Sequence, residues 1–158
     1  MHGARGSTGG TDGTQAVAMG DVDSDGDLDL FIGTGHGAGS LLLLNDGRAV
    51  FSTSVGFPAG IYQANSVAMG DIDGDGDLDL VIGNQGDGDQ GASNALLLGA
   101  RSSGAFSKIS DDGFPGGSAN TLAITMGDVD ADGALDLLIG NGGGEPNELL
   151  MGDGVGGF

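Results

Sequence analysis

Aspartate recurs at alternate positions in three short segments of the chain, a spacing suited to holding a cation. Each segment follows the pattern D-x-D-x-D-G-x-L-D, and we call these nine-residue segments the aspartate loops. The residues at their odd positions are Asp21, Asp23, Asp25, Asp27 and Asp29; Asp71, Asp73, Asp75, Asp77 and Asp79; and Asp128, Asp130, Asp132, Ala134 and Asp136. Carboxylates this close repel one another unless a cation neutralises them. The sequence therefore predicts three cation sites.

Calcium is the ion that these loops fit best, because it accepts about six to eight oxygen ligands in flexible geometry. Positions one, three and five direct carboxylates at one centre, Gly at position six permits a sharp turn, and position nine completes the ligand shell. Position seven needs to supply only its backbone carbonyl, so Ala134 removes no ligand, while Asp27 and Asp77 add negative charge rather than side-chain ligation. We expect about three calcium ions per chain. Magnesium is the weaker candidate because it keeps more water.

Three other interpretations fit the loops less well. An EF-hand requires a bidentate Glu at position twelve, where this chain has Ile32, Ile82 and Ile139. The calcium-binding nonapeptide of β-helices requires G-G-x-G-x-D, which the loops lack. A solvated acidic turn without an ion is the remaining alternative, and the occurrence of three loops in matched register argues against it.

The loops belong to a repeat that runs through most of the chain. Residues 16–33, 66–83 and 123–140 are closely similar, and their starts lie 50 and 57 residues apart. Each unit contains about four short apolar segments separated by glycine-rich turns, and none is long enough for a helix. Four strands in a repeat of about 40–50 residues indicate an all-β fold of β-propeller blades. A glycine-rich solenoid, the alternative, usually has a shorter period of about 20–30 residues.

This repeat divides the chain into a glycine-rich N-terminal segment and three blades. The segment covers residues 1–15, and the blades cover residues 16–64, 65–120 and 121–158, the last without its outer strand. GFPAG at 56–60 and GFPGG at 113–117 are expected to form turns that place Phe57 and Phe114 between blades.

The sequences GDVDSDGDLDL, GDIDGDGDLDL and GDVDADGALDL, each followed by an apolar strand and Gly, resemble FG-GAP/VCBS repeats, the blades of integrin-α-type propellers. A later N-x-L-L-L element, opened by Asn94 and Asn147 and by Ser40 in the first unit, adds to the resemblance. The resemblance implies calcium in the hairpin between the first two strands of each blade. It also implies a closed ring of about seven blades, and this chain has three. We expect a fragment of a longer protein; the alternative is self-association of copies that completes the ring.

Composition excludes several functions. The formal charge of −19 disfavours nucleic acid and anionic membrane surfaces as partners. The absence of Cys excludes disulfide scaffolds and thiolate chemistry, and no apolar run approaches the roughly 18 residues of a membrane span. No phosphate-binding loop or nucleophile motif occurs, so we expect no enzymatic activity. The N-terminus lacks the apolar region of a signal peptide.

These observations predict a calcium-binding β-propeller module with a structural, adhesion or protein-interaction role. Calcium sites with dissociation constants of about 10⁻⁴ to 10⁻³ M are typical of extracellular modules, so we expect an extracellular or cell-surface location. Besides calcium, a protein or glycan ligand on the propeller face is the expected partner. A lectin-like glycan-binding propeller and the non-catalytic part of a secreted polysaccharide-active enzyme are the alternatives. Tyr62, the only tyrosine, argues against the lectin because such a site would repeat its aromatic residues.

Overall fold

The described part of the chain is built from β-strands joined by turns. The computed structural model describes residues 13–35, 39–58, 63–85, 93–100, 104–109 and 120–158. Within these ranges no helix occurs, and hence none is long and apolar enough to cross a membrane. The predicted all-β architecture is confirmed.

The described residues form eleven strands in three antiparallel sheets, and within each sheet the strands that are consecutive in sequence pair with one another. Sheet 1 contains β1 (Thr14–Gly20), β2 (Asp29–Thr34), β3 (Leu41–Asn45) and β4 (Phe51–Thr53). Sheet 2 contains β5 (Ala64–Gly70), β6 (Asp79–Asn84), β7 (Ala95–Ala100) and β8 (Ala105–Ile109). Sheet 3 contains β9 (Thr121–Gly127), β10 (Asp136–Asn141) and β11 (Glu148–Leu150). This up-and-down order is that of propeller blades.

Sheet 2 lies between sheets 1 and 3, in an open stack. Because side chains alternate across a strand, each sheet has two faces. We call the face toward the preceding sheet the leading face and the face toward the following sheet the trailing face. Phe31 and Leu42 on the trailing face of sheet 1 pack with Leu80, Ile82 and other apolar residues of sheet 2.

We call the packed contact between sheets 1 and 2 the first joint and that between sheets 2 and 3 the second joint. The second joint uses the equivalent positions. Val81 and Leu96 of sheet 2 pack with Ile124, Leu137 and Ile139 of sheet 3, and all five are buried. Since sheets 1 and 2 present register-matched residues to the sheet that follows, the two joints are built in the same way.

Aromatic packing supports the first joint as predicted. The ring of Phe57 lies between Phe31 of β2 and Phe106 of β8, with centroid distances of 5.7 and 6.2 Å. The prediction that Phe57 packs between blades is confirmed. Its counterpart Phe114 lies outside the described residues.

Sheet 3 has three strands among the described residues. The turn after β11 nevertheless repeats the turn that precedes β4 in sheet 1. The carboxylate of Asp153 accepts hydrogen bonds from the amides of Val155 and Gly157, as Asp46 accepts from Arg48 and Val50.

Candidate metal centres

Positions one, three and nine of each aspartate loop come together in space. Three carboxylate groups result, and in each one the ligand atoms lie within 4.8 Å of one another. They are formed by Asp21, Asp23 and Asp29; by Asp71, Asp73 and Asp79; and by Asp128, Asp130 and Asp136. Oxygens that share one calcium ion at 2.3–2.6 Å lie at most about 5.2 Å apart. Each group is therefore compact enough to hold one such ion.

Left-handed backbone at two positions folds each loop tightly. At position six the glycines have positive φ, as the sequence predicted: Gly26 (97°), Gly76 (90°) and Gly133 (95°). Position four is also left-handed although two of its residues have side chains: Ser24 (60°), Gly74 (74°) and Ala131 (65°). These turns reverse the chain within a few residues, so that the carboxylates at positions one and three approach that at position nine.

The carboxylate at position one fixes the loop backbone. Asp21 accepts hydrogen bonds from the amides of Asp25 and Gly26, both at 3.0 Å. Asp71 and Asp128 likewise accept from the glycine at position six, at 3.1 and 3.0 Å. The loop thus has a defined shape through its own hydrogen bonds.

The aspartate at position nine connects the loop to the third strand of its sheet. Asp79 is buried; its Oδ2 accepts from the amide of Ile72 at 2.7 Å and its Oδ1 from the amide of Gly99 at 2.9 Å. Asp29 accepts in the same way from Val22 and Asn45. Each of these carboxylates therefore joins the second residue of its loop to the end of the third strand.

The third loop has the same connection, since Asp136 accepts from Val129 at 2.7 Å and Gly152 at 2.9 Å. From the sequence, position nine was expected to bind only the metal, and this structural role was not predicted. A signal was present in the sequence: an aspartate that opens an apolar strand becomes buried, and a buried carboxylate needs hydrogen-bond donors.

Two carboxylate oxygens in the first two groups are buried without a hydrogen-bond partner, Oδ1 of Asp23 and Oδ1 of Asp71. Burial, and secondarily the negative charges of Asp29 and Asp25, raises the pKa of Asp23. Burial also raises the pKa of Asp79, although the amides of Gly99 and Ile72 oppose the shift. Buried acceptors with surplus negative charge suit a hard cation, so the residues present fit calcium.

Positions five and seven lie outside the three groups. At position five, Asp25, Asp75 and Asp132 each accept a hydrogen bond from the amide at position seven, at 2.8–2.9 Å. At position seven, the side chains of Asp27 and Ala134 lie beside the turn that follows the third strand. Ligation by positions five and seven stays a prediction.

The third group is more open to solvent than the other two. Asp128 and Asp130 are exposed, whereas their counterparts in the first two loops are half-buried. The second loop is shielded by sheet 3: a Cβ at Gly74 would lie 3.3 Å from the carbonyl oxygen of Gly154, and one at Gly156 would lie 3.4 Å from the Cβ of Asp73. Within the described residues, no following sheet shields the third loop in this way.

The asparagines of the N-x-L-L-L element have a structural role at the other end of the sheets. Asn94 accepts from the amide of Asn84 at 2.9 Å, and Asn147 accepts from the amide of Asn141 at 3.0 Å. The Asn84 side chain in turn donates to the Ser93 carbonyl at 2.7 Å. These bonds close the connection between the second and third strands, away from the carboxylate groups.

Comparison with known proteins agrees with the repeat seen in the sequence. The model of the FG-GAP-like repeat family matches residues 21–82, from the start of the first aspartate loop into β6. A search of curated proteins gives no match. The matched range contains the first two aspartate loops, and the resemblance seen in the sequence is confirmed over it. Residues 21–82 are therefore similar to an FG-GAP-like repeat.

Proposed function

We propose that this chain is a calcium-binding β-propeller repeat module with a structural, non-enzymatic role. The observation that supports the proposal best is the threefold occurrence of one carboxylate arrangement at equivalent places in three sheets. A chance cluster of surface acids would not repeat both its spacing and its backbone hydrogen bonds. Asp29, Asp79 and Asp136 each form the same two bonds to the backbone.

In this proposal the aspartates at positions one, three and nine hold the ion, and position nine carries its effect into the sheet. Calcium, when bound, supplies the positive charge that offsets the repulsion between the three carboxylates. The position-nine carboxylate keeps the loop attached to the third strand, because it accepts one hydrogen bond from a loop amide and one from an amide at the end of that strand. An ion bound only by the folded loop stabilises the folded chain by mass action.

Calcium is favoured over magnesium by the way the loop is built. The carboxylates lie on a loop whose backbone is already folded around them, which suits an ion that replaces most of its water with protein oxygens. Magnesium retains several waters and is usually held by only one or two carboxylates. Three carboxylates per group therefore support calcium as the ion.

We further propose that the module works outside the cell or at its surface. Loop sites of this type with dissociation constants of about 10⁻⁴ to 10⁻³ M fill only where calcium is abundant. There the module would act as a scaffold in adhesion or protein interaction, with its partner bound away from the buried joints.

The test combines metal analysis with thermal unfolding in three solutions: excess EDTA, 5 mM CaCl₂ (about ten times the expected dissociation constant) and the same concentration of MgCl₂. We expect about three calcium ions per chain and a melting temperature that rises clearly in calcium and much less in magnesium. Equal melting temperatures in EDTA and calcium, with no bound calcium, would overturn the proposal. An equal rise in magnesium would overturn the choice of ion.

A further inference from the structure

The two outer faces of the stack carry the unpaired halves of a joint that the structure forms twice. At the first joint Leu78, from the loop of sheet 2, lies over Gly20 at the end of β1: a Cβ at Gly20 would be 2.6 Å from the Leu78 side chain. At the second joint Leu135 lies over Gly70 in the same way, also at 2.6 Å. Each joint thus places a loop leucine over the terminal glycine of the preceding sheet.

The ends of the stack expose one partner each. Leu28, the loop leucine of sheet 1, is 56 % exposed, and Gly127, the terminal glycine of β9, has no atom within 4 Å of where its Cβ would stand. Neither has its counterpart within the described residues. Leu28 and Gly127 are therefore complementary, and they lie at opposite ends of the stack.

Other positions of the leading face show the same contrast. Met69 and Met126 are half-buried at the two joints, whereas their counterpart Met19 on sheet 1 is 67 % exposed. Ile124, on the leading face of sheet 3, is buried and packs over Gly83 of sheet 2, while its counterpart Val17 is exposed. The leading face of sheet 1 therefore exposes apolar residues, Val17 and Met19, at positions that are packed at both joints.

The trailing face of sheet 3 likewise exposes apolar positions that are buried in the other two sheets. Val22 and Ile72 are buried at the joints, whereas the equivalent Val129 of sheet 3 is 62 % exposed. Leu138, the counterpart of buried Phe31 and Val81, is 47 % exposed. Beside it a pocket of about 140 Å³ opens near Gly140, where the other two sheets receive a residue of the next sheet.

We propose that the trailing face of sheet 3 binds the leading face of sheet 1 of a second copy of this chain. Val17 would then enter the pocket beside Gly140 as Ile124 covers Gly83, and Leu28 would cover Gly127. The occupant is a second copy because the surface that fits is present on the chain itself, at its opposite end. Such a head-to-tail contact closes a ring or continues into a longer assembly. This inference does not depend on calcium binding.

The test measures mass in solution by sedimentation equilibrium, at about 100 µM chain and at about 0.15 M salt so that the charge of −19 is screened. It is run in EDTA and again in calcium. We expect a mass of two chains or more, in either solution. A monomer in both would overturn the proposal.

Two exposed substitutions distinguish the head-to-tail contact from a symmetric one. Met19→Asp, outside the aspartate loop, damages only the leading face and Leu138→Asp only the trailing face. Each should weaken association at least about tenfold because it buries an unpaired charge. An equimolar mixture should regain dimers, since each variant keeps the face that the other needs. Val55→Asp, at a fully exposed position after β4, is the control and should associate normally.

Failure of the mixture to associate, or equal association of Met19→Asp and wild type, would contradict the head-to-tail contact. Unchanged melting temperatures of the variants at low concentration would show that they fold. Because the chain has no native cysteine, cross-linking gives an independent measurement. A mixture of Leu28→Cys and Gly127→Cys chains should cross-link with a short bismaleimide more than tenfold faster than either chain alone. Equal rates would contradict the contact.

Discussion

Two alanine substitutions in the second aspartate loop separate the structural role of the loop from its metal-binding role. Asp79→Ala removes a buried carboxylate that accepts hydrogen bonds from two backbone amides, with N–O distances of 2.7 and 2.9 Å. Asp73→Ala removes a half-buried carboxylate that accepts one amide at 3.2 Å. Both residues belong to the same group of three, so both substitutions should abolish that site.

The magnitudes follow from the hydrogen bonds. A buried amide left without an acceptor costs about 1–3 kcal/mol, so Asp79→Ala loses about 2–6 kcal/mol of unfolding free energy. Burial raises the pKa of Asp79, which means that its charge is itself costly to bury, and the lower half of that range is expected. Asp73→Ala should change metal-free stability by less than about 1 kcal/mol, because the long bond it loses is offset by relief of carboxylate repulsion.

The assay is urea unfolding of wild type and both variants, in EDTA and in calcium. When free calcium exceeds the dissociation constant of a site a hundredfold, binding at that site raises the free energy of unfolding by about 2.7 kcal/mol. Asp73→Ala should match wild type in EDTA and fall short by about one site's contribution in calcium. Asp79→Ala should be less stable in both solutions. Glu145→Ala, at an exposed acid outside the loops, is the control and should behave as wild type.

Equal stability of the two variants in EDTA would refute the assignment of position nine as the connection to the third strand. If Asp73→Ala instead kept the full calcium response, the grouping of positions one, three and nine would be wrong.

Three further predictions concern the turns and the third site. Gly133→Ala should lose about 1–2 kcal/mol of unfolding free energy purely from backbone strain, since its φ is 95° and nothing crowds its Cβ position; Gly13→Ala, without positive φ, should lose none. The amides of Val155 and Gly157 lower the pKa of Asp153, so its carboxylate should titrate by NMR below the ordinary 3.8. The stabilising contribution of Asp153 is therefore present above pH 3.8 and is lost as the pH falls through the lowered pKa. The difference in melting temperature between wild type and Asp153→Asn, measured in EDTA, should shrink over that range. A constant difference would be inconsistent with this assignment. Because the third group is the most exposed in a single chain, calorimetric titration at a concentration low enough to keep the chain monomeric should show one site weaker than the other two. Asp128→Asn should remove the weak site and Asp71→Asn a tight one.

The sequence predicted the parts of the site that are local in the chain. The ligands at positions one, three and nine fall within nine residues, so their alternation and Gly at position six were sufficient to propose a cation site and a tight turn. The strands were also predictable, because short apolar segments between glycine-rich turns leave few alternatives. The repeated segment at residues 66–83, for example, contains most of β5 (Ala64–Gly70) and β6 (Asp79–Asn84).

The parts that were missed depend on contacts between distant residues. The third-strand amides that donate to Asp29 and Asp79 lie 16 and 20 residues further along the chain. The segment between the aspartate and its third-strand partner therefore varies in length. No spacing rule identifies such a pair. The pairing of Leu78 with Gly20 spans 58 residues and becomes visible only when the sheets are stacked. A leucine in an acidic loop is otherwise indistinguishable from an ordinary exposed residue.

At the end of each third strand, one backbone amide donates a hydrogen bond to the position-nine carboxylate. This amide can therefore report on the state of that one carboxylate group. The amides of Asn45, Gly99 and Gly152 each donate to the position-nine carboxylate of one loop only. Hydrogen exchange at such an amide requires the bond to open, and a cation that immobilises the carboxylate slows the opening. Exchange rates at these three amides would therefore assign the filling of each of three chemically similar sites to its own loop, which a bulk titration of the wild-type chain does not do.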